Sequence, residues 1–250
     1  MLKGKRRLFA RKIIYLIPGS RKILGAYTYA QDKRNISSLG AEGVFTRKYE
    51  YMTWDCEESV SGPGSTIEYT KNIVKEIPQL INHFGVKQIL DAPCGDFNWF
   101  RFVDRGRNIY YTGADIVKAL VIDNQQKYED DYTSFIHLDI INDELPEADL
   151  WLCRDCLVHL SNSDIFKVIS NLLSSDIRYF LTTTHTGCKM NIDIPTGNFR
   201  RLNLELPPFN FCKPILYIDD WIEGYPVRHL ALWEKHQLSE SLPSKWRSIG

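Results

Sequence analysis

The sequence predicts an α/β fold built on a mostly parallel sheet. Between residues 67 and 184, short apolar segments rich in β-branched residues alternate with segments of helical length, a pattern that produces parallel sheets. The segment 86–91 has the composition of a buried strand and stops at Asp91-Ala-Pro-Cys-Gly95, which predicts a tight turn. Because ligands in open α/β sheets bind beyond the carboxyl ends of the strands, we expect a ligand at this turn.

The other elements of this alternation follow in order. Ser65 followed three positions later by Glu68 forms a capping box, which predicts a helix from Ser65 to about Phe84. The remaining predicted elements are a short helix at 97–103, a strand at 109–115, a helix at 117–129, strands at 134–139 and 149–153, a helix at 163–173, a strand at 178–184, a long loop at 186–212 over one end of the sheet, and closing strands at 215–218 and 228–233.

The amino-terminal part of the chain differs in composition from the rest. Residues 1–25 carry eight Lys and Arg side chains around the apolar run 13–17, which is far shorter than the roughly 20 residues that span a bilayer. We expect this basic segment either to contact an anionic membrane surface or to pack on the domain or a neighbouring subunit. Residues 40–65 show no sustained helical or strand period and are predicted to form a loop. The predicted organisation is a helical, basic amino-terminal extension with a loop or cap segment at 1–60, a main domain at 61–238 and a tail at 239–250.

Composition limits the classes of partner and the setting. The 31 Lys and Arg balance the 31 Asp and Glu, so no overall positive field attracts nucleic acid, and we expect none as a partner. The six cysteines are scattered and nothing resembles a secretory leader, which indicates a reducing, cytoplasmic setting. Cys153 and Cys156 lack the second ligand pair of a zinc site, so we interpret them as small apolar residues at a strand end and expect no metal.

Each of three successive predicted strands has an aspartate at its carboxyl end. Asp91, Asp115 and Asp139 follow one another at intervals of 24 residues, so all three are expected at one rim of the sheet. A carboxylate after the second strand accepts hydrogen bonds from ribose hydroxyls, and one after the third can accept from an adenine amino group. The pattern therefore predicts a ligand that contains adenosine.

The turn after the first strand indicates which adenosine ligand to expect. A dinucleotide needs several glycines so that the backbone can approach a pyrophosphate. This turn has a single glycine, Gly95, followed directly by the acidic Asp96, which would repel a pyrophosphate and favour a cationic ligand. S-adenosylmethionine carries a sulfonium and an ammonium group and no phosphate, so it fits this turn.

Several short motifs accompany the turn Asp-Ala-Pro-Cys-Gly-Asp-Phe-Asn-Trp at 91–99. They are Ser-Gly-Pro-Gly-Ser at 61–65, Cys-Arg-Asp-x-Leu-x-His-Leu at 153–160, Thr-Thr-Thr-His-Thr at 182–186, Gly-Asn-Phe-Arg-x-Leu-Asn-Leu at 197–204 and Pro-Pro-Phe at 207–209. Together they resemble the class I S-adenosylmethionine-dependent methyltransferases, in particular a bacterial branch associated with surface-polysaccharide and small-metabolite modification. The turn has Pro-Cys-Gly where the class usually has Gly-x-Gly, and keeps the version of that branch.

The resemblance implies a Rossmann-like fold, with a seven-stranded sheet whose last strand, around 228–233, runs antiparallel beside the sixth. It also implies S-adenosylmethionine as cofactor and S-adenosylhomocysteine as product. Residues 91–97 would hold the methionine part, Asp115 the ribose, and Asp139 with Ile140 the adenine. The full set of expected cofactor-binding residues is Ser61, Gly62, Ser65, Asp91, Ala92, Pro93, Gly95, Phe97, Asp115, Ile116, Asp139, Ile140 and Arg154.

Methyl transfer to an alcohol benefits from a general base. His159, just past the fourth strand, is the first candidate, His185 after the fifth strand is the second, and Asp155 is expected to orient either one. The residues expected to contact the acceptor lie in the loop at 186–212. They are Phe199, Arg200, Arg201 and Asn203.

The sequence therefore predicts a cytoplasmic methyltransferase that acts on a small-molecule or saccharide acceptor. A location at the inner face of the membrane is the alternative within the cytoplasm. A hydroxyl of a nucleotide-linked, phosphorylated or lipid-linked sugar is the first expectation. N- or O-methylation of another small phosphorylated metabolite is the nearest alternative. A nicotinamide-dependent oxidoreductase and a non-catalytic adenosine-binding domain are two further alternatives, and the missing glycine triplet argues against the former.

Overall fold

The computed structural model describes residues 20–239 and contains a single seven-stranded sheet. The strands are β1 (Gln88–Asp91), β2 (Tyr110–Asp115), β3 (Thr133–His137), β4 (Leu150–Cys153), β5 (Tyr179–Thr184), β6 (Leu216–Asp219) and β7 (His229–Glu234). Their spatial order is β3-β2-β1-β4-β5-β7-β6, with β1 to β5 parallel and β7 antiparallel to both β5 and β6. The predicted sheet, including the direction of its last strand, is confirmed.

Helices connect the strands and cover both faces of the sheet. They are α1 (Ser20–Glu50), α2 (Ile67–Phe84), α3 (Lys118–Tyr128), α4 (Asn162–Ser174) and α5 (Lys235–Ser239), with single 3₁₀ turns at Pro63–Ser65, Phe100–Phe102 and Leu157–His159. Because β1, β2, β4 and β5 run in parallel, their carboxyl ends and the turns that follow them meet at one edge of the sheet.

The core has two apolar layers, one on each face of the sheet. On one face α2 contributes Ile73, Ile77 and Ile81, which recur at helical spacing and are almost fully buried. On the other face α4 contributes Ile165 and Ile169 in the same way. Burying each such side chain contributes roughly 1.5–3 kcal/mol, so the two layers hold the strands, and hence their carboxyl ends, in fixed positions.

The prediction of a loop at 40–65 is wrong in its first part. α1 continues to Glu50, with a break at Gly40, where φ is +67°. Ala41, Val44 and Phe45 lie at the i, i+3, i+4 spacing of a buried helical face, and Val44 is only 1% exposed. The stretch is too short and too polar elsewhere for its period to stand out. Val44 packs instead against a distant loop, so its burial comes from tertiary contact.

The start of α2 also differs from the prediction. Thr66, not Ser65, is the N-cap, and its hydroxyl accepts a hydrogen bond from the amide of Tyr69. Ser65 closes the preceding 3₁₀ turn, and its carbonyl accepts from the side chain of Asn98. The capping box at Ser65 and Glu68 is therefore absent, and Glu68 pairs with Lys71 at the surface.

Smaller differences concern element ends. The segment predicted as a helix at 97–103 forms only the 3₁₀ turn Phe100–Phe102, and α5 lies partly where a tail was expected. β3 ends at His137, so Asp139 lies two residues beyond the strand. Cys153 and Cys156 both pack in the core. The basic residues at 1–19 and the tail at 240–250 lie outside the described residues.

None of the helices described between residues 20 and 239 combines the length and the apolar character that a membrane span requires.

Candidate active site

A cavity of about 800 Å³ lies at the carboxyl ends of β1, β2, β4 and β5. Its floor is formed by the turns after these strands. Its roof is the segment 41–55, hereafter the strap, many of whose residues line the cavity. All the expected cofactor-binding residues line this cavity except Ala92 and Phe97, and so do all three expected catalytic residues, Asp155, His159 and His185.

The turn after β1 is fixed by contacts that require glycine at position 95. Gly95 has a φ of +60°, and a Cβ atom there would lie 2.2 Å from the hydroxyl oxygen of Ser61. Its amide donates to a carboxylate oxygen of Asp115 at 3.2 Å, and its carbonyl accepts from the side chain of Asn124 at 2.7 Å. These contacts within the protein hold the turn in this conformation.

Asp91 and Asp115 are buried carboxylates at the cavity. Asp91 accepts a 2.7 Å hydrogen bond from the hydroxyl of Tyr111, and burial raises its pKa to about 7. Asp115 accepts from the amides of Gly95 and Val117, and burial raises its pKa to about 6. Within residues 20–239 neither carboxylate forms a salt bridge, so both can accept further hydrogen bonds from a ligand.

The far end of the cavity, beyond β3, is mostly apolar. Leu138, Ile140 and Ile141 line it and are nearly buried. The carboxylate of Asp139 accepts from the amide of Ile141 and from the side chain of Asn142, and so shapes its own turn. This end offers a flat apolar wall with one carboxylate at its rim.

Asp96 does not have the predicted role. Its carboxylate accepts hydrogen bonds from the hydroxyls of Ser59 and Ser61 and from the amide of Val60, and it does not line the cavity. Its negative charge therefore anchors the segment before the 62–65 loop and does not face the cavity. The sequence alone did not indicate that hydroxyls 35 to 37 positions away would take up this carboxylate.

Ala92 and Phe97 support the turn on the side that faces away from the cavity. The carbonyl of Ala92 accepts from the indole N–H of Trp151, and Phe97 packs among aromatic rings that include Tyr111 and Phe135. Both residues stabilise the turn without facing the cavity.

A cluster of four charged side chains lies beside the 62–65 loop. Arg154 bonds both oxygens of Asp220 at 2.9 and 2.8 Å and the carbonyl of Gly64 at 2.6 Å. Arg228 binds the carboxylate of Asp155 at 2.6 Å and the carbonyl of Asp220 at 2.8 Å. Asp155 is thus bonded to an arginine, and its carboxylate makes no hydrogen bond to either histidine within residues 20–239.

His159 and His185 differ in which ring nitrogen is protonated. Nδ1 of His159 lies 2.7 Å from the carbonyl of Asn198, so it must donate, and Nε2 is left as a proton acceptor. Nδ1 of His185 accepts a long, 3.5 Å hydrogen bond from the amide of Leu202, so Nε2 carries the proton. Burial lowers the pKa of His159 below its ordinary value and that of His185 to about 4. Both rings are neutral at neutral pH, and only His159 presents a basic nitrogen.

The structure separates the four expected acceptor-contacting residues. Phe199 lines the cavity mouth, half exposed, with its ring 5.5 Å from that of His159. Arg200 is buried and bonds the carbonyl of Leu160 and the side chain of Asn162, outside the cavity. Arg201 and Asn203 do not line it either.

Searches with protein-family models and against curated protein sequences give no match. Solved structures do match. Human N-acetylserotonin methyltransferase in complex with SAM superposes with a TM-score of 0.56 at 14% identity, over 82% of this chain and 65% of that one. Magnesium protoporphyrin IX methyltransferase from Synechocystis PCC 6803, with bound SAH, gives 0.53 at 14% identity, over 80% and 96%. PigF with SAH gives 0.56 at 11% identity, over 83% and 68%.

These matches and the strand order agree. The chain has the class I methyltransferase fold. At these identities the likeness extends to the fold and not to the substrate.

On this methyltransferase fold the strap lies within the segment predicted as a loop or cap, but none of its residues was predicted to line the site. It spans the cavity and is held along its length. Glu42 pairs with Lys118 at 3.0 Å, Val44 packs on Gly197, and Trp54 packs on Gly62. The available signal was the helical spacing of Ala41, Val44 and Phe45 described above.

Proposed function

We propose that this chain is an S-adenosylmethionine-dependent methyltransferase that methylates a sugar hydroxyl of a saccharide, or of an activated or phosphorylated sugar precursor in surface-polysaccharide biosynthesis. The observation that carries the proposal is a single cavity with carboxylates for a nucleoside at one end and a neutral histidine with a free Nε2, His159, at the other.

The residues fit the cofactor chemically. Asp115 has lone pairs available for ribose hydroxyls, and the apolar wall of Leu138 and Ile140 suits an adenine ring. Two buried carboxylates beside the Gly95 turn disfavour a pyrophosphate and favour a cationic group. Bound S-adenosylmethionine supplies a methyl group on a positively charged sulfur.

His159 is the proposed general base. Its ring is oriented by the Asn198 carbonyl, and burial keeps it unprotonated at neutral pH. Nε2 would take the proton from the acceptor hydroxyl as the oxygen attacks. His185, with its proton on Nε2, can donate a hydrogen bond to an acceptor oxygen but cannot serve as the base in this tautomer.

The walls near His159 suit a sugar that carries negative charge. The rings of Trp54 and Phe199 flank His159 at 6.2 and 5.5 Å and offer apolar faces to the C–H side of a sugar ring. Arg47 and Lys48 of the strap also line the cavity and supply positive charge for a phosphate. The strap covers these groups and limits water at the reacting hydroxyl.

The proposal is tested first by calorimetry with S-adenosylmethionine, S-adenosylhomocysteine and NAD. We expect binding of the first two and not of NAD, and an affinity loss of about tenfold for Asp115→Asn. Asp130→Asn, an exposed carboxylate away from the cavity, is the control. Binding of NAD alone would overturn the proposal.

The acceptor is tested with methyl-labelled cofactor and a panel of nucleotide-linked and phosphorylated sugars, each beside its amino-sugar analogue. Label on oxygen supports the proposal. Label found only on nitrogen would replace it with the N-methylation alternative.

A further inference from the structure

Arg200 is a buried cation without a carboxylate in direct contact. Its side chain is 4% exposed, and within residues 20–239 it forms no salt bridge. Burial lowers its pKa to about 10. A guanidinium is costly to bury, so its position calls for an explanation. Because Arg200 does not line the cavity, any role in the reaction must act through another residue.

The guanidinium of Arg200 bonds the segment that directly follows His159. Its Nη1 donates to the carbonyl of Leu160, and its Nη2 donates to the side-chain oxygen of Asn162 at 3.0 Å. A planar guanidinium that bonds two acceptors holds them in a fixed relative position. Arg200 therefore fixes the chain just after the proposed base relative to its own backbone.

Two backbone hydrogen bonds hold the loop before Arg200 against the turn that carries His159. The amide of Arg200 donates to the carbonyl of Val158 at 3.0 Å, and the amide of Gly197 donates to the carbonyl of His159 at 2.8 Å. Asn198 lies between these two donors, and its carbonyl is the group that accepts from Nδ1 of His159 at 2.7 Å. The carbonyl that sets the tautomer of the base is thus held from both sides.

The position of this carbonyl decides what His159 can do. A neutral imidazole carries one proton, and a hydrogen bond from Nδ1 to the Asn198 carbonyl keeps the proton there and leaves Nε2 basic. If the loop moved away, Nδ1 would lose its acceptor and the proton could occupy Nε2 instead. In that tautomer Nε2 cannot take a proton from an acceptor hydroxyl.

We propose that Arg200 is a positioning residue for the base: its guanidinium fixes the loop that carries the Asn198 carbonyl, and this carbonyl holds the proton of His159 on Nδ1. The inference rests on the proposed function, because it concerns the same base. It gives Arg200 a role through His159 and not through contact with the acceptor.

The first test measures the tautomer and needs neither cofactor nor acceptor. NMR of the full chain with isotopically labelled histidine nitrogens shows which ring nitrogen is protonated, and the signals of His159 are identified by their absence in His159→Asn. We expect Nδ1 to carry the proton in wild type, and a large share of it to move to Nε2 in Arg200→Met. A wild-type tautomer in folded Arg200→Met would overturn the inference.

Arg105→Met is the matched control. Arg105 also donates to a backbone carbonyl, that of Tyr132, and to a side-chain oxygen, that of Thr133, but it does not line the cavity. The variant should leave the tautomer of His159 and the rate of methyl transfer as in wild type, even where it lowers the melting temperature. An equal change of the tautomer in the two arginine variants would trace it to general destabilisation and refute the role of Arg200.

Asn162→Ala is a milder variant that keeps the arginine and removes only the acceptor of Nη2. We expect the proton of His159 to shift in the same direction as in Arg200→Met, by a smaller share. Should Arg200→Met fail to fold, a wild-type tautomer in Asn162→Ala would count against the inference.

The rate of methyl transfer provides the second test. A displaced base is costly, so Arg200→Met should lower kcat by about 10²-fold and leave binding of S-adenosylhomocysteine within about twofold. Arg200→Lys keeps one donor for the Leu160 carbonyl and should recover part of the rate. A loss of S-adenosylhomocysteine binding as large as the loss of rate would overturn the inference. If wild type binds no S-adenosylhomocysteine, the proposed function fails, whereas the tautomer test still decides whether Arg200 positions His159.

Discussion

His159 and His185 face one cavity as opposite tautomers. The carbonyl of Asn198 makes Nδ1 of His159 a donor, and the amide of Leu202 makes Nδ1 of His185 an acceptor. Two histidines that the sequence presents as equivalent candidates therefore differ in what their Nε2 atoms can do. One can accept a proton and the other can only donate.

This difference predicts unequal effects of substitution. Asn at position 159 keeps a donor for the Asn198 carbonyl but has no basic nitrogen, so His159→Asn should lower kcat by about 10²–10⁴-fold. Gln at position 185 keeps a donor near Nε2, so His185→Gln should cost about tenfold or less. Single-turnover rates of methyl transfer measure both. As a control, binding of S-adenosylhomocysteine should be unchanged in His159→Asn. A larger rate loss in His185→Gln than in His159→Asn would mean that His185 is the base.

The same assignment predicts the pH dependence of the rate. The base is active when neutral, and burial lowers the pKa of His159 below its ordinary 6.5. Activity should therefore stay on its plateau as the pH falls to about 6.5 and decline only below it. A profile of kcat against pH checks this. An inflection well above 6.5 would mean that another group is the base.

The fold was predictable because strand and helix signals are local. The five parallel strands follow from apolar runs with turns between them, and each observed strand lies within one or two residues of its predicted position. Asp91 and Asp115 were identified for the same reason, since the end of a strand fixes where its last side chain goes.

The site's remaining features depend on contacts that local patterns do not encode. Asp96 and Arg200 are charged side chains of the kind that bind ligands. Each instead forms its hydrogen bonds with polar groups of the protein that are distant in sequence. Arg228 shows the reverse, because only the fold brings it beside Asp155. The residues of the strap were not predicted to line the site, because the burial of Val44 depends on Gly197, far away in sequence.

The raised pKa of Asp91 predicts how the free energy of unfolding should vary with pH. Burial raises its pKa to about 7 from an ordinary value of 3.8, so the folded protein binds a proton that the unfolded chain has released at intermediate pH. Stability should therefore fall as pH rises from about 4 to about 7, by on the order of 4 kcal/mol from this group.

Asp91→Asn removes that titration while keeping an acceptor for the hydroxyl of Tyr111. Chemical denaturation at pH 5 and pH 8, conditions on either side of about pH 7, should show a smaller difference in the variant than in wild type. Asp131→Asn, an exposed carboxylate away from the cavity, serves as control. An unchanged difference in Asp91→Asn would mean that Asp91 is ionised throughout.

The strap predicts a last effect, on access to the cavity. Gly197 has a φ of +100°, and a Cβ atom there would lie 2.4 Å from a methyl carbon of Val44, so Gly197→Ala should push the strap off the loop that also holds His159. We expect faster proteolysis within residues 41–55 and weaker binding of S-adenosylhomocysteine by a few-fold, since a site that closes less often binds less tightly. Gly187→Ala, where a Cβ meets no atom within 4 Å and φ is not positive, is the matched control and should behave as wild type. Equal proteolysis of the two variants would show that the Val44–Gly197 contact does not hold the strap in place.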